Sequence, residues 1–269
     1  MLRLPAVAGR FYPSNPAELT AAVRQYTKTE ADVKPARVKA CLVPHAGYMY
    51  SGHVAGAVFA RVAIPKRILL LGVRHFPRGA ALAIHSSGAW RTPLGDVPID
   101  ELLATALRST CSLLQEDEVA HSGEHSLEVQ LPFLQVLAPA FSFVPVVLGT
   151  ARFEDLISVG KAIARAVISI NDEVLLLTTS DLNHYENDAV TRVKDAKAIE
   201  QLSGLDARGL YDACRNLEIS MCGLGPAVAM LTALRELGAM KAELVRYATS
   251  ADVSGDASAV VGYAGMTFV

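Results

Sequence analysis

The sequence predicts an α/β fold: a three-layer α/β/α domain built on a mostly parallel central sheet. Short apolar runs rich in Val, Leu and Ile recur at 38–44, 67–72, 141–149 and 173–180. Such runs read as strands buried on both faces, which is the pattern of parallel sheets. Helical patterns separate them, as βαβ units require. The chain of 269 residues is 51% apolar and only 19% charged, so a large core is available.

Taken in order, Ser14-Asn15-Pro16 is a start signal for a helix over 17–26. After the strand at 38–44, Ser51 is placed to cap a helix reaching about Val62, whose alanines and glycines suit close packing on a sheet. The strand at 67–72 leads to short strands near 80–85 and 94–99 and a helix from Asp100 to about Arg108. An amphipathic helix falls within 125–138, and Pro132 either opens or kinks it. A strand at 141–149, a helix at 153–168 and a strand at 173–180 follow. Helices at about 189–203, 206–215 and 226–237 precede two closing strands, 242–249 and 258–268. No linker, low-complexity segment or repeat interrupts this order, so a single domain over 1–269 is expected.

Bulk properties exclude several function classes. A net charge of −2 with no Lys/Arg-rich stretch gives no support to nucleic-acid or anionic-membrane binding. No apolar stretch approaches the roughly 20 residues of a membrane helix, and MLRLPAVAGRFYP lacks an apolar signal core. The four cysteines show neither a C-x-x-C pair nor a secreted framework, which fits a reducing, cytoplasmic setting. A mean hydropathy of +0.30 leaves enough apolar surface for a homo-oligomer to be expected.

Chemistry-bearing residues cluster just after the predicted strands. His45 follows the first apolar run, His75 the second, and Asp181 and His184 the run at 173–180. In open parallel sheets, ligands sit beyond the carboxyl ends of the strands. These groups therefore converge on one edge as a candidate metal or acid–base site. Each histidine alone reads better as a strand-end residue bonded to a loop carbonyl, but one shared metal explains two of them together. His184 is a natural proton acceptor, because imidazole titrates near neutrality. Asp181 either orients an imidazole or caps the helix near 189.

Cys222 lies in SMCGLGPAVAML (220–231), where Pro226 reads as the first helical position. A thiol ahead of a helix N-terminus is expected to favour thiolate, the form that binds metal; an ordinary packed cysteine is the competing reading. His121-Ser-Gly-Glu124-His125 matches the H-x-x-E-H pattern of inverted zinc peptidases. Ser122-Gly123 opposes the continuous helix that chemistry needs, so Glu124, His125 and Glu128 are expected at most to line the site. His53 and His85 have no partner pattern, and solvated or core roles are expected for both. No dinucleotide fingerprint, phosphate-binding loop or nucleophile elbow is present.

These blocks resemble the Memo family, including bacterial and archaeal members known as AmmeMemoRadiSam system protein B. The resemblance spans nearly the whole chain: AVAGRFYP (6–13), PHAGYMYSG (44–52), LLGVRH (70–75), WRTPLGDVPID (90–100), GEHSLEVQLPFLQ (123–135), VPVVLG (144–149), SDLNH (180–184), CGLGP (222–226), YATSADVSGD (247–256) and VVGYAG (260–265). It implies the fold of class III extradiol dioxygenases, which open catechol rings with non-haem Fe(II).

By motif, the resemblance implies His45, His75 and Cys222 as metal ligands, with His184 as general base and Asp181 beside it. Ring-cleaving enzymes use two histidines and a glutamate. A thiolate in the third place is softer and also suits Cu or Zn. The implied activity is an Fe(II)-dependent oxidoreductase acting on a catechol-like or enolic small molecule. Two alternatives stand beside it: a non-catalytic metal, redox or adaptor protein with protein partners in a radical-SAM-associated pathway, and a metal-assisted hydrolase.

Overall fold

The computed structural model describes residues 1–29, 33–138 and 140–269. Its strands, in chain order, are β1 (Leu2–Arg3), β2 (Ala40–Val43), β3 (Arg67–Val73), β4 (Leu82–Ile84), β5 (Ala89–Thr92) and β6 (Gly95–Pro98). They continue as β7 (Gln115–Glu116), β8 (Ser142–Leu148), β9 (Val174–Thr179), β10 (His184–Glu186), β11 (Ala242–Thr249) and β12 (Val260–Phe268).

At the centre, β2, β9, β3 and β8 lie side by side and all run parallel. Antiparallel pairs flank this core, β12 on β2 at one side and β4 on β8 at the other. Beyond them, β10 and β11 both pair with β12, and β7 with β4. A separate small sheet is ordered β1-β5-β6. Four parallel strands put four carboxyl ends on one edge, and that placement builds the site.

The central strands are buried on both faces because consecutive residues feed opposite layers. Leu42, Leu69, Leu71, Val146 and Leu176 join one apolar cluster, with helices Phe153–Ile170 and Leu224–Glu236. Their neighbours Cys41, Val43, Ile68, Leu70 and Leu177 join the other, with helices Pro16–Tyr26 and Tyr48–Phe59. The three-layer α/β/α reading is what the chain adopts.

Local departures have physical reasons. The second helix starts at Tyr48, so Ser51 sits inside it and donates to the Ala46 carbonyl (3.0 Å) instead of capping. Gly52 and Gly56 of that helix lie against Tyr26 of the preceding one, and a Cβ at Gly56 would meet the Tyr26 carbonyl. The expected helix within 125–138 is two pieces, His125–Glu128 and Leu131–Leu137, and Pro132 opens the second. The helix after Cys222 begins at Leu224, so Pro226 occupies its third position. Strands β1, β5 and β10 are too short or too polar to have stood out as strands in the sequence.

Candidate metal centre

His45 stands two residues past β2, His75 two past β3 and Asp181 two past β9. Because these strands are parallel and adjacent, their side chains meet at one edge. A third imidazole joins them: His125, the first residue of the turn His125–Glu128. One ligand atom from each of His45, His75 and His125 lies within 4.8 Å of the other two, the spacing one metal ion can bridge. The His75 and His125 rings stack at 4.4 Å, and His45 stands edge-on to them at 5.1 and 5.6 Å. The Phe11 ring packs against that of His125 (4.8 Å).

Glu124 anchors this group. Its carboxylate caps the turn that carries His125, accepting from the Ser126 N–H at 2.8 Å. It also accepts from the His75 backbone N–H (2.8 Å) and from Nδ1 of the His75 ring (2.9 Å). An ionised carboxylate only accepts, so His75 carries its proton on Nδ1 and turns the Nε2 lone pair outward. Burial opposes ionisation of Glu124, yet the His75 hydrogen bond and charge and these backbone N–H groups hold it down at about 2. Burial, reinforced by His75, lowers His45 to about 3. Burial and the neighbouring His45 lower His125 to about 4. At neutral pH both rings are uncharged, which is the form that ligates a metal.

Cys222 adjoins the triad through His45. Its Sγ is 3.2 Å from His45 Nε2 and accepts from the Asp181 N–H at 3.3 Å. The expected thiolate does not follow from the helix terminus: burial first, and then the Asp181 charge, push the thiol well above its ordinary range. Desolvation of a full charge outweighs a half-charge dipole; a bound cation reverses that balance by deprotonating a coordinating thiol. The other cysteines, Cys41, Cys111 and Cys214, are buried.

Asp181 does not cap the following helix; Asn187 does. The Asp181 carboxylate accepts the His45 backbone N–H at 2.8 Å, and its second oxygen is 4.0 Å from His45 Nε2. Burial raises its pKa. His184 opens β10 at the rim, donating its backbone N–H to Ser220 Oγ (2.8 Å). Its Nδ1 faces the Ser220 carbonyl at 3.0 Å. A carbonyl cannot donate, so the proton sits on Nδ1 and the Nε2 lone pair is free to take one up. Asn183 accepts from both Ser220 N–H and Oγ–H (3.1 and 3.2 Å), clamping that arrangement.

The H-x-x-E-H pattern is split between two short turns, Val119–Ser122 and His125–Glu128. His121 points away from the centre: its Nδ1 donates to the Asp117 carbonyl (2.8 Å) and its ring packs beside Trp90 (5.9 Å). His85 has the core role expected of it, accepting from the Trp90 N–H at 3.1 Å. Glu128 is fully buried and serves the N-terminal segment, accepting from Arg3, Tyr12 and the Ala6 and Val7 N–H groups. Sequence reasoning therefore underread His125 and Glu124. Their place in the GEH block was the available signal, but only the turn geometry shows which of its polar residues face inward.

The donor set fits a transition metal. Three imidazoles and an adjoining thiol suit Zn, Cu or Fe, and a buried carboxylate already orients one of the rings. Among the described residues, no helix is long and apolar enough to cross a membrane.

Comparison with known proteins agrees over the full length. A MEMO1 family protein of Methanopyrus kandleri is 40% identical over 280 residues, covering 100% of this chain and 99% of its own. One from Methanocaldococcus jannaschii is 40% identical over 282 residues, covering 98% and 97%. The crystal structure of an uncharacterized protein from Escherichia coli K12 shares the fold, with a TM-score of 0.58 at 12% identity, covering 86% of this chain and 99% of that one. The family model described as Memo-like protein matches residues 3–267, and the chain belongs to that family.

Proposed function

We propose that this protein is a metal-dependent oxidoreductase of the class III extradiol dioxygenase type, acting on a catechol-like or enolic small molecule with Fe(II) as its resident metal. The observation that carries this reading is the convergence of three imidazoles beside a histidine whose Nε2 is free to take a proton. His45 and His75 hold the ion, and His125 or Cys222 supplies the third donor. Bound there, Fe(II) supplies Lewis-acid and one-electron chemistry between substrate and oxygen. His184 accepts the substrate's acidic proton at Nε2 while Ser220 keeps the ring in the correct tautomer. Asp181 holds the His45 backbone in place, and Phe11 packs against the His125 ring.

The test is anaerobic reconstitution with Fe(II), followed by oxygen uptake with a panel of catechols. Wild-type protein is expected to bind about one ion, and His45→Ala to lose at least 100-fold in affinity, the upper end of what even supporting residues cost. Comparing His125→Ala with Cys222→Ala identifies the third donor. A wild-type protein that binds no Fe(II), or a His45→Ala form that binds it equally well, sinks the proposal. Turnover without oxygen consumption marks a metal-assisted hydrolase instead.

A further inference from the structure

His184 is held through a hub, Asn183, whose polar groups are all committed. The Asn183 side-chain oxygen accepts from Ser220, and its amide nitrogen donates to Glu186 Oε2 (2.7 Å) and Thr191 Oγ1 (3.3 Å). A carboxylate only accepts, so Glu186 fixes which end of the amide faces Ser220. The Asn183 carbonyl accepts the Gly262 N–H at 2.9 Å, and its own N–H donates to Asp195 Oδ1 at 2.9 Å.

Asp195 is the unusual member of this group. It lies on the helix Asp188–Ser203, is fully buried and forms no ion pair among the described residues. The neighbouring cation, Arg192, is engaged with Asp188 and Asp252. A buried carboxylate is costly unless donors compensate. Two donors do: the Asn183 N–H and the Tyr247 hydroxyl, the latter at 2.7 Å. Burial still pushes its pKa up to about 6, so at neutral pH the ionised, acceptor-only form prevails. Gly262 makes the room, because a Cβ there would collide with the Asp195 carboxylate. The Gly262 carbonyl also accepts the Leu182 N–H at 2.8 Å, so β12 and Asp195 together hold the turn that leads to His184.

We propose that Asp195 is a positioning residue for His184, acting through Asn183 and Ser220. Without its carboxylate the buried Asn183 N–H has no acceptor, a cost the turn relieves only by moving Asn183. Ser220 then loses the oxygen that clamps it. His184 loses in turn the Ser220 hydroxyl on its backbone N–H and the Ser220 carbonyl on its ring. The catalytic meaning of this relay rests on His184 being the base; its geometry does not.

Ring 15N NMR on the full-length, metal-free protein in mildly alkaline solution tests it. The wild-type His184 ring is expected as Nδ1–H, held by the Ser220 carbonyl. Asp195→Ala is expected to lose that preference, while His121, held at Nδ1 by the Asp117 carbonyl, keeps its own. Asp195→Asn retains an acceptor for the Asn183 N–H and is expected to restore the His184 signal. A merely structural role lowers the thermal midpoint without singling out His184, so folded Asp195→Ala with an unchanged His184 ring overturns the proposal. If the alanine variant does not fold, amide hydrogen exchange in the wild type decides. Asn183 and Ser220 N–H are expected to show matching protection, because one opening frees both; exchange of Asn183 roughly 10-fold faster than Ser220 overturns the link. With Fe(II) and catechols, Asp195→Ala is expected to lower kcat by about 10-fold at unchanged KM, a part of the roughly 100- to 10,000-fold that a positioned base supplies. Wild-type protein that consumes no oxygen with any catechol overturns the proposed function and leaves the positioning result standing.

Discussion

His45 and His125 show how burial sets the chemistry of single side chains. In the unfolded chain both take up protons near the ordinary value of 6.5, whereas in the native protein they do so only near 3 and 4. Between those values the unfolded state binds more protons, so stability falls as the pH drops. Their contribution is complete above about pH 6.5 and is lost progressively towards pH 3–4. Glu124, held at about 2 against an ordinary 4.5, adds a loss in the same direction at still lower pH. The expected result is a metal-free protein that loses on the order of a few kcal/mol between pH 7 and 4, since one pKa unit is worth about 1.4 kcal/mol. Urea denaturation across that range checks it, and a flat profile would contradict the buried, uncharged histidines.

At the scale of elements, the N-terminal segment depends on one carboxylate. Glu128 accepts from Arg3 at 2.6 Å, from Tyr12 Oη at 2.6 Å and from the Ala6 and Val7 N–H groups at 2.8 and 3.0 Å. Arg3 in turn donates to the carbonyls of His121 and Glu124, so the same contact braces the turn that presents His125. Further along the segment, the Phe11 carbonyl accepts from the Tyr48 N–H (2.8 Å), tying it to the helix that follows His45. Removing one partner of a buried pair strands the other charge, at a cost of about 3–5 kcal/mol. Glu128→Ala is therefore expected to lower stability by that amount and to weaken metal binding without touching a ligand. Thermal denaturation together with metal titration measures both. A variant of unchanged stability would mean the segment docks without Glu128.

The same central strands supply both helical layers of the molecule. Leu69 and Leu71 face one layer and Ile68 and Leu70 the other, so neither layer can lose its packing while the strands keep theirs. The only tryptophan, Trp90, is buried in the small β1-β5-β6 sheet under the Arg3 guanidinium (4.0 Å) and shares a core cluster with Leu70 and Leu177. Trp90 fluorescence and far-UV circular dichroism are expected to report one coincident unfolding transition. Two separated midpoints would show that the chain divides into independent units.

The layered fold and two of the three convergent histidines were legible in the residues themselves. An apolar run of Val, Leu and Ile has few ways to be buried, and residues just past parallel strands must share an edge. His45, His75, Asp181 and the bounds of β11 follow from such one-dimensional rules. Contacts between distant segments obey no such rule. That Glu124 holds His75 and that His125 and not His121 faces inward depend on how the short turn His125–Glu128 sits against β3, and that Asn187 rather than Asp181 caps a helix depends on where the chain turns after β9. Tertiary packing alone also decided the burial that raises the Cys222 thiol and the contacts that surround the His45 ring. Desolvation and donor–acceptor geometry are properties of the assembled surroundings, and no local run of residues encodes them.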